Sequence, residues 1–231
     1  MRREWIAVLV LAAAVGIGAV FVGRAATGAG TRPVPEQRLL TMRNNRYVLD
    51  GWEHQGPGGF TLDETAGVLK SHGGMGLLYY AAKEYGDFTL ELDFRCADKT
   101  TNSGVFLRVP GKPTSNDYIY HSFEIQIDDS AKEAIHRTGA VYDAEAPGHY
   151  EPPEPDESDA EAVKPGPWNH FSITFRGSRI TVVLDDVELV SWDAAPRGKV
   201  KDFAPRGHIG LQNHDDKSVV EFRNIVVREL T

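Results

Sequence analysis

"SFEIQIDD", Ser122 to Asp129, alternates without a break: Phe123, Ile125 and Ile127 fall on one side of an extended chain, Glu124, Gln126 and Asp128 on the other. The aliphatic side belongs in a core. The polar side either meets water or lines a cleft. Comparable runs recur along the chain, among them "GLLYYA", "FTLELDFR", "GVFLRV", "FSITFR", "HIGLQNH" and "VVEFRNIVVREL", separated by Gly, Pro, Asp and Asn. Helical periodicity is nearly absent, so many short strands of similar length predict an all-β antiparallel sandwich rather than a parallel sheet with crossover helices. In "VVLDDVELV", Asp185 and Asp186 read as the two-residue turn of a hairpin.

The same alternation sorts two further runs. In "NSGVFLR", Val105 and Leu107 point to the core while Phe106 and Arg108 point away; in "GHIGLQNH", Ile209 and Leu211 point inward and His208, Gly210, Gln212 and His214 outward. Extending the reading upstream of Ser122 puts Tyr118 and Tyr120 on the polar face as well. Aromatic rings interleaved with amides and acids suit a sugar, whose C–H face stacks on rings and whose hydroxyls meet planar polar groups. Singly, an Arg, Glu or His in such a place is more often a surface pair or a turn residue. Gln126 and Gln212 are unusual choices for a plain solvent face.

The composition bounds the rest. Of 231 residues, 41% are apolar and 13 are Pro, as expected of one sizeable β-rich domain. The net charge of -8 lacks the basic field a nucleic-acid backbone requires. One cysteine, Cys96, allows neither an internal disulfide nor a cysteine zinc site. At the N-terminus, Arg2 and Arg3 precede an uncharged run from Trp5 to Gly23, about 28 Å long as a helix. Residues 1–24 therefore read as a signal peptide or a transmembrane anchor, with the chain after Arg24 exported; 25–45 reads as a flexible linker and 46–231 as the domain. A chain begun near Asn45 is expected to fold. The acidic, Pro-rich stretch Asp143 to Pro167 reads as a long loop, a lid or an insertion.

The motifs "NSGVFLR", "EIQIDD", "TGAVY", a Trp-Asn after a Pro-Gly loop, and "IGLQNH" followed by "FRNI" together resemble the 3-keto-disaccharide hydrolase domain family, over about Trp52 to Leu230. The resemblance implies a concanavalin A-like jelly roll of two antiparallel sheets, with the ligand on the concave one where Arg108, Glu124, Gln126, Gln212 and His214 would meet. It also implies cleavage of glycosides whose 3-hydroxyl is already a ketone: the ketone acidifies the C2 proton, C1 loses its leaving group by elimination, and water adds back. Glu124 or His214 would be the base and the other the acid, or both would hold a divalent metal; Arg108 would stabilise the enolate. Gln126, Gln212, Asp128, Tyr120, Tyr142 and Trp168 would bind substrate. The turn "LQNHDD" departs from the family's "LQDHG", which bears on His214. Two alternatives stand beside this reading: a non-catalytic sugar-binding module, and a retaining glycosidase using Glu124 and Asp128, roughly 13 Å apart along an extended strand.

Overall fold

A computed structural model describes residues 35–148 and 166–231. The expected signal peptide or anchor helix (1–24), the linker up to residue 34 and the acidic stretch from Glu151 to Glu161 lie outside the described residues. Among the described residues no helix is long and apolar enough to cross a membrane.

The strands, in chain order, are β1 (Glu36–Arg38), β2 (Thr41–Arg43), β3 (Arg46–Val48), β4 (Trp52–Gln55), β5 (Gly59–Asp63), β6 (Val68–His72), β7 (Gly76–Tyr80), β8 (Phe88–Cys96), β9 (Ser103–Val109), β10 (Phe123–Ile127), β11 (Asn169–Arg176), β12 (Arg179–Leu184), β13 (Val187–Asp193), β14 (His208–Asn213) and β15 (Val220–Glu229). The large sheet runs β13-β12-β11-β8-β15-β6-β5, with β1 also on β15; the small sheet runs β10-β9-β14-β7-β4; β2 and β3 form a separate hairpin. The β12–β13 turn is the expected one. Asp185 and Asp186 have φ of 47° and 69°, the positive pair that a two-residue hairpin matching strand twist requires.

Phe123, Ile125, Ile127, Val105, Leu107, Ile209 and Leu211, the seven aliphatic or aromatic residues assigned inward, all lie in the cluster between the sheets. They meet Phe88, Phe94, Phe171, Phe175 and Phe222 of the large sheet in that cluster. Each such side chain contributes about 1.5–3 kcal/mol by leaving water. A one-residue slip of β10 would exchange all three of its inward residues for Glu124 and Gln126, so the register is firmly set.

Two features depart from the expectation. First, the compact unit begins at Val34 rather than after Asn45. β1 pairs with β15, Leu39 is fully buried, and its carbonyl accepts the Trp52 indole N–H at 2.7 Å. The expected linker over 25–45 therefore ends about ten residues early; small polar composition around it hid the "LL" that anchors the fold. A chain begun at Asn45 should melt well below one begun at Val34, since losing buried Leu39 and Leu40 costs about 2–5 kcal/mol apiece. Equal melting temperatures in a thermal scan would mean these residues do not hold the sandwich. Second, β9 carries a bulge. Phe106 pairs with Gly210 and Val109 with His208, so two residues, Leu107 and Arg108, stand opposite Ile209 alone. Arg108 sits at φ 56°, a left-handed conformation unusual for a long side chain.

Candidate active site

Strand pairing fixes which residues share the face of the small sheet turned away from the core. One row crosses all five strands: Glu124 is paired with Phe106, Phe106 with Gly210, Gly210 with Tyr79 and Tyr79 with Glu53. In the row beside it Gln126 is paired with Gly104, and Gln212 and Gln55 are each paired with Leu77. Leu77, Tyr79, Phe106 and Tyr118 make a second apolar cluster on this face, separate from the main core. Two glycines keep the floor low. A Cβ on Gly104 would overlap the Glu124 carboxylate, so this glycine is the space into which that carboxylate folds. Sequence reasoning passed over it, although a glycine inside a strand is the mark of such a close approach.

Glu124 is 6% exposed, and among the described residues nothing donates a hydrogen bond to its carboxyl. Burial disfavours the charged form and pushes its pKa up to about 8, with Lys199 as the charge that pulls it back. The wall around it comes from two segments. Asn116–Tyr120 is a 3-10 turn rather than an extension of β10, started by Ser115, whose hydroxyl accepts the Asp117 N–H. It drops Tyr118 onto Phe106, ring centroids 5.0 Å apart and edge to face, and sends Tyr120 out to solvent at 65% exposure. Tyr120 is therefore not on the polar face of the strand, because the chain ceases to be extended before Phe123. The second segment runs along the free edge of β10: the Gln126 N–H donates to Ala140 O at 3.0 Å, the Gly139 N–H to Gln126 O at 2.9 Å and the Tyr142 N–H to Glu124 O at 2.9 Å. That ladder seats Tyr142 beside Glu124, in one small cavity with Lys199.

Tyr142 also forms part of a cleft of about 300 Å³ with Asn102, Gln126, Asp128, Glu133 and His136. The His136 ring stacks on Tyr142 at 4.7 Å, and its Nε2 lies 2.8 Å from Asp143 Oδ1. Lys199 Nζ donates to Asp143 Oδ2 at 2.8 Å. The bonds from His136 and Lys199 hold the Asp143 carboxyl below its ordinary pKa. The Oε1 atoms of Gln126, Gln212 and Gln55 are buried without a hydrogen-bond partner, three acceptors in one row that a ligand's hydroxyls would satisfy. The amides at 126 and 212 stand where they were expected, and Tyr118 reaches their face by way of the 3-10 turn; Gln55, His136, Asp143 and Lys199 were missed, because loops and a neighbouring edge strand bring them in.

Besides Tyr120, four expected site residues are placed elsewhere or otherwise employed. The bulge turns Arg108 out of the alternation and into the space between the sheets. There it donates to Gly86 O at 2.9 and 3.1 Å and to Gly177 O at 3.2 Å, pairs with Asp87 at 3.3 Å, and lies 3.4 Å over the Phe175 ring. It does not face Glu124. His214 stands one residue past β14, where Asp215 accepts the N–H groups of Lys217 and Ser218 and turns the chain; its Nδ1 meets Asp215 at 2.9 Å, and it lines neither the Glu124 cavity nor the Gln126 cleft. Trp168 lies on the outer surface of the large sheet between the guanidinium groups of Arg95 and Arg223, at 4.7 and 3.9 Å. Asp128 does border the cleft, but one oxygen accepts from Ser130 and Ala131 and the other from Asn102, so its carboxylate fixes the turn after β10. A divalent cation held by Glu124 and His214 does not fit this arrangement: among the described residues no three His, Cys, Asp or Glu side chains gather as metal ligands.

Comparison with known proteins agrees with this architecture. No curated protein matches the sequence. A proposed glycosyl hydrolase from Parabacteroides distasonis ATCC 8503 superposes with a TM-score of 0.64 at 25% identity, over 85% of this chain and 100% of that one. A second from the same organism gives 0.65 at 18% identity, over 85% and 94%. A Bacillus subtilis protein of unknown function with a galectin-like fold gives 0.54 at 11% identity, over 85% and 95%. The family model for the 3-keto-alpha-glucoside-1,2-lyase-like domain matches residues 42–228, which include both rows of the small sheet and the segment that brings Tyr142 to Glu124, and the chain belongs to that family.

Proposed function

We propose that this domain is a carbohydrate-active lyase or hydrolase that opens 3-keto-glucosides by removing the C2 proton, with Glu124 as the base. The observation that carries the reading is the carboxyl of Glu124: buried, unpaired among the described residues, and set on a face of unpartnered amide acceptors, where burial pushes its pKa up to about 8. A base poised near working pH combines a usable fraction of the ionised form with strong proton affinity. The C2–H bond breaks toward Glu124 and its electron pair forms the enolate, whose oxygen carries the developing charge. Lys199, the cation whose field reaches Glu124, takes the electrostatic role that the family resemblance gives to Arg108. When the C3 carbonyl re-forms, the pair moves to C1=C2 and the C1–O bond breaks. Gln126 and Gln212 orient the ring hydroxyls. Water then adds across the double bond to give the free 3-keto sugar. No oxocarbenium ion is involved. The run from Trp5 to Gly23 behind Arg2 and Arg3 supports placing this chemistry outside the cytoplasm.

The test is to offer a 3-keto-α-glucoside and its unoxidised parent in deuterated water. Turnover of the ketone alone, with deuterium appearing at C2, is the expected result. Equal cleavage of the parent would mean an ordinary glycosidase, and binding of the parent without cleavage of either would mean a sugar-binding module.

A further inference from the structure

Elimination leaves one role unfilled. The departing C1 oxygen takes the bonding pair and requires a proton unless it is intrinsically a stable anion. Glu124 has just accepted a proton on the C2 side. The Tyr142 hydroxyl is pushed above its ordinary pKa by burial and nearby carboxylates, which makes it a reluctant donor. Lys199 is bonded to Asp143, and the Asp128 carboxylate is committed to its turn.

Lys132 and Glu133 also border the cleft of Gln126, both exposed; the titratable group there that neighbours hold in place is His136. We infer that His136, oriented by Asp143, is the general acid that protonates the leaving group. The inference rests on the C2-abstraction reading above and names the other proton in it. Its Nε2 is tied to Asp143 Oδ1 at 2.8 Å, and its ring is fixed in plane by stacking on Tyr142 at 4.7 Å. The charged groups facing it are Asp143 and, at 3.7 Å from Nδ1, Glu133; Lys199 acts on it only through Asp143. That 3.7 Å exceeds hydrogen-bond length, so Nδ1 is the nitrogen left to serve a ligand. Tyr142 lines the cavity of Glu124 and stacks on His136, so it borders both the base and the acid.

The backbone is consistent with the assignment. Asp143 occupies φ 60°, a conformation that costs a non-glycine residue energy and persists where surrounding contacts demand it. The contacts here are the two bonds by which its carboxylate holds His136 and Lys199 together. A carboxylate that orients an imidazole, which in turn passes a proton to the reacting group, is a recurrent acid–base arrangement. In atoms and electrons the step balances: as the C1–O bond breaks, the oxygen takes its pair and receives the proton from Nδ1, leaving neutral imidazole. In the hydration half, that imidazole takes a proton from the incoming water while Glu124 returns its own to C2, restoring both groups.

Leaving-group dependence separates this role from a merely structural one. Methyl 3-keto-α-glucoside needs its oxygen protonated; the 4-nitrophenyl analogue departs as a stable anion. His136→Gln should lose about 10² to 10³ in kcat on the methyl compound and under about tenfold on the nitrophenyl one, at unchanged melting temperature. Asp143→Asn should show the same asymmetry at smaller amplitude, and added imidazole should restore His136→Ala on the methyl compound. Equal loss on both substrates, or no loss on either, would overturn the assignment while leaving Glu124 as base. If the unmodified domain turns over neither ketone, the elimination reading fails and this inference with it.

Discussion

Glu124→Gln lowers turnover of a 3-keto-α-glucoside by about 10² to 10⁴, on methyl and nitrophenyl leaving groups alike, because an amide keeps the shape of the carboxyl and cannot take the C2 proton. The same substitution alters stability in a pH-dependent way. The folded chain holds the Glu124 proton up to pH about 8, whereas an ordinary glutamate releases it near 4.5. Between those values the folded state binds more protons than the unfolded one, so the contribution of this residue is fully present below about pH 4.5 and is lost as pH rises through 8. The glutamine variant carries no such dependence. It should melt like the unmodified domain at pH 4 to 5 and above it at pH 9, by a difference on the order of a few kcal/mol. Parallel melting curves across that range, together with full activity, would remove Glu124 from the site. In activity, the unmodified domain gains rate as pH climbs toward 8, since the base is the ionised form.

Arg108→Ala is the second large effect, and its sign distinguishes two roles. Between the sheets the guanidinium donates to two backbone carbonyls, pairs with Asp87 and covers Phe175, and its own pKa is lowered to about 10 by that burial. Removing it leaves the carbonyls of Gly86 and Gly177 without this donor and opens a hole against an aromatic ring. The expected cost is about 3–5 kcal/mol, read as a fall in melting temperature of roughly 10 °C. Activity below that temperature should remain within a few-fold. An enolate-stabilising arginine would give the reverse result, an unaltered melt with a rate loss of about 10² or more.

The alternation of "SFEIQIDD" was sufficient to put Phe123, Ile125 and Ile127 in a core and Glu124 and Gln126 on the opposite face, because a period of two admits only those assignments once the chain is extended. Gln212 and the Asp185-Asp186 turn were legible for the same local reasons. Where the chain leaves the extended state, the rule has no force. Tyr120 falls off the strand into a 3-10 turn, and His214 falls into a turn organised by Asp215.

The family resemblance rested on motifs spread over the chain, and the matching family model covers 42–228. Motif membership still did not say what each residue does. Trp168 belongs to such a motif and lies on the far sheet, stacked between two arginines. By itself, then, the sequence determined the sandwich, the inward and outward faces of its regular strands, and the place of Glu124 on the outward face of the small sheet.

Tertiary structure alone decided the rest. A single extra residue in β9 sent Arg108 to the core side, which no strand-by-strand reading reveals, since a bulge is defined only by what stands opposite on the neighbouring strand. The partners of Glu124 come from the 3-10 turn bearing Tyr118, the edge segment bearing Tyr142 and Asp143, and Lys199 more than fifty residues further on. Their convergence depends on hydrogen bonds to the free edge of β10 and on an aspartate held at positive φ. Those are long-range contacts, and the local pattern of residues carries no record of them.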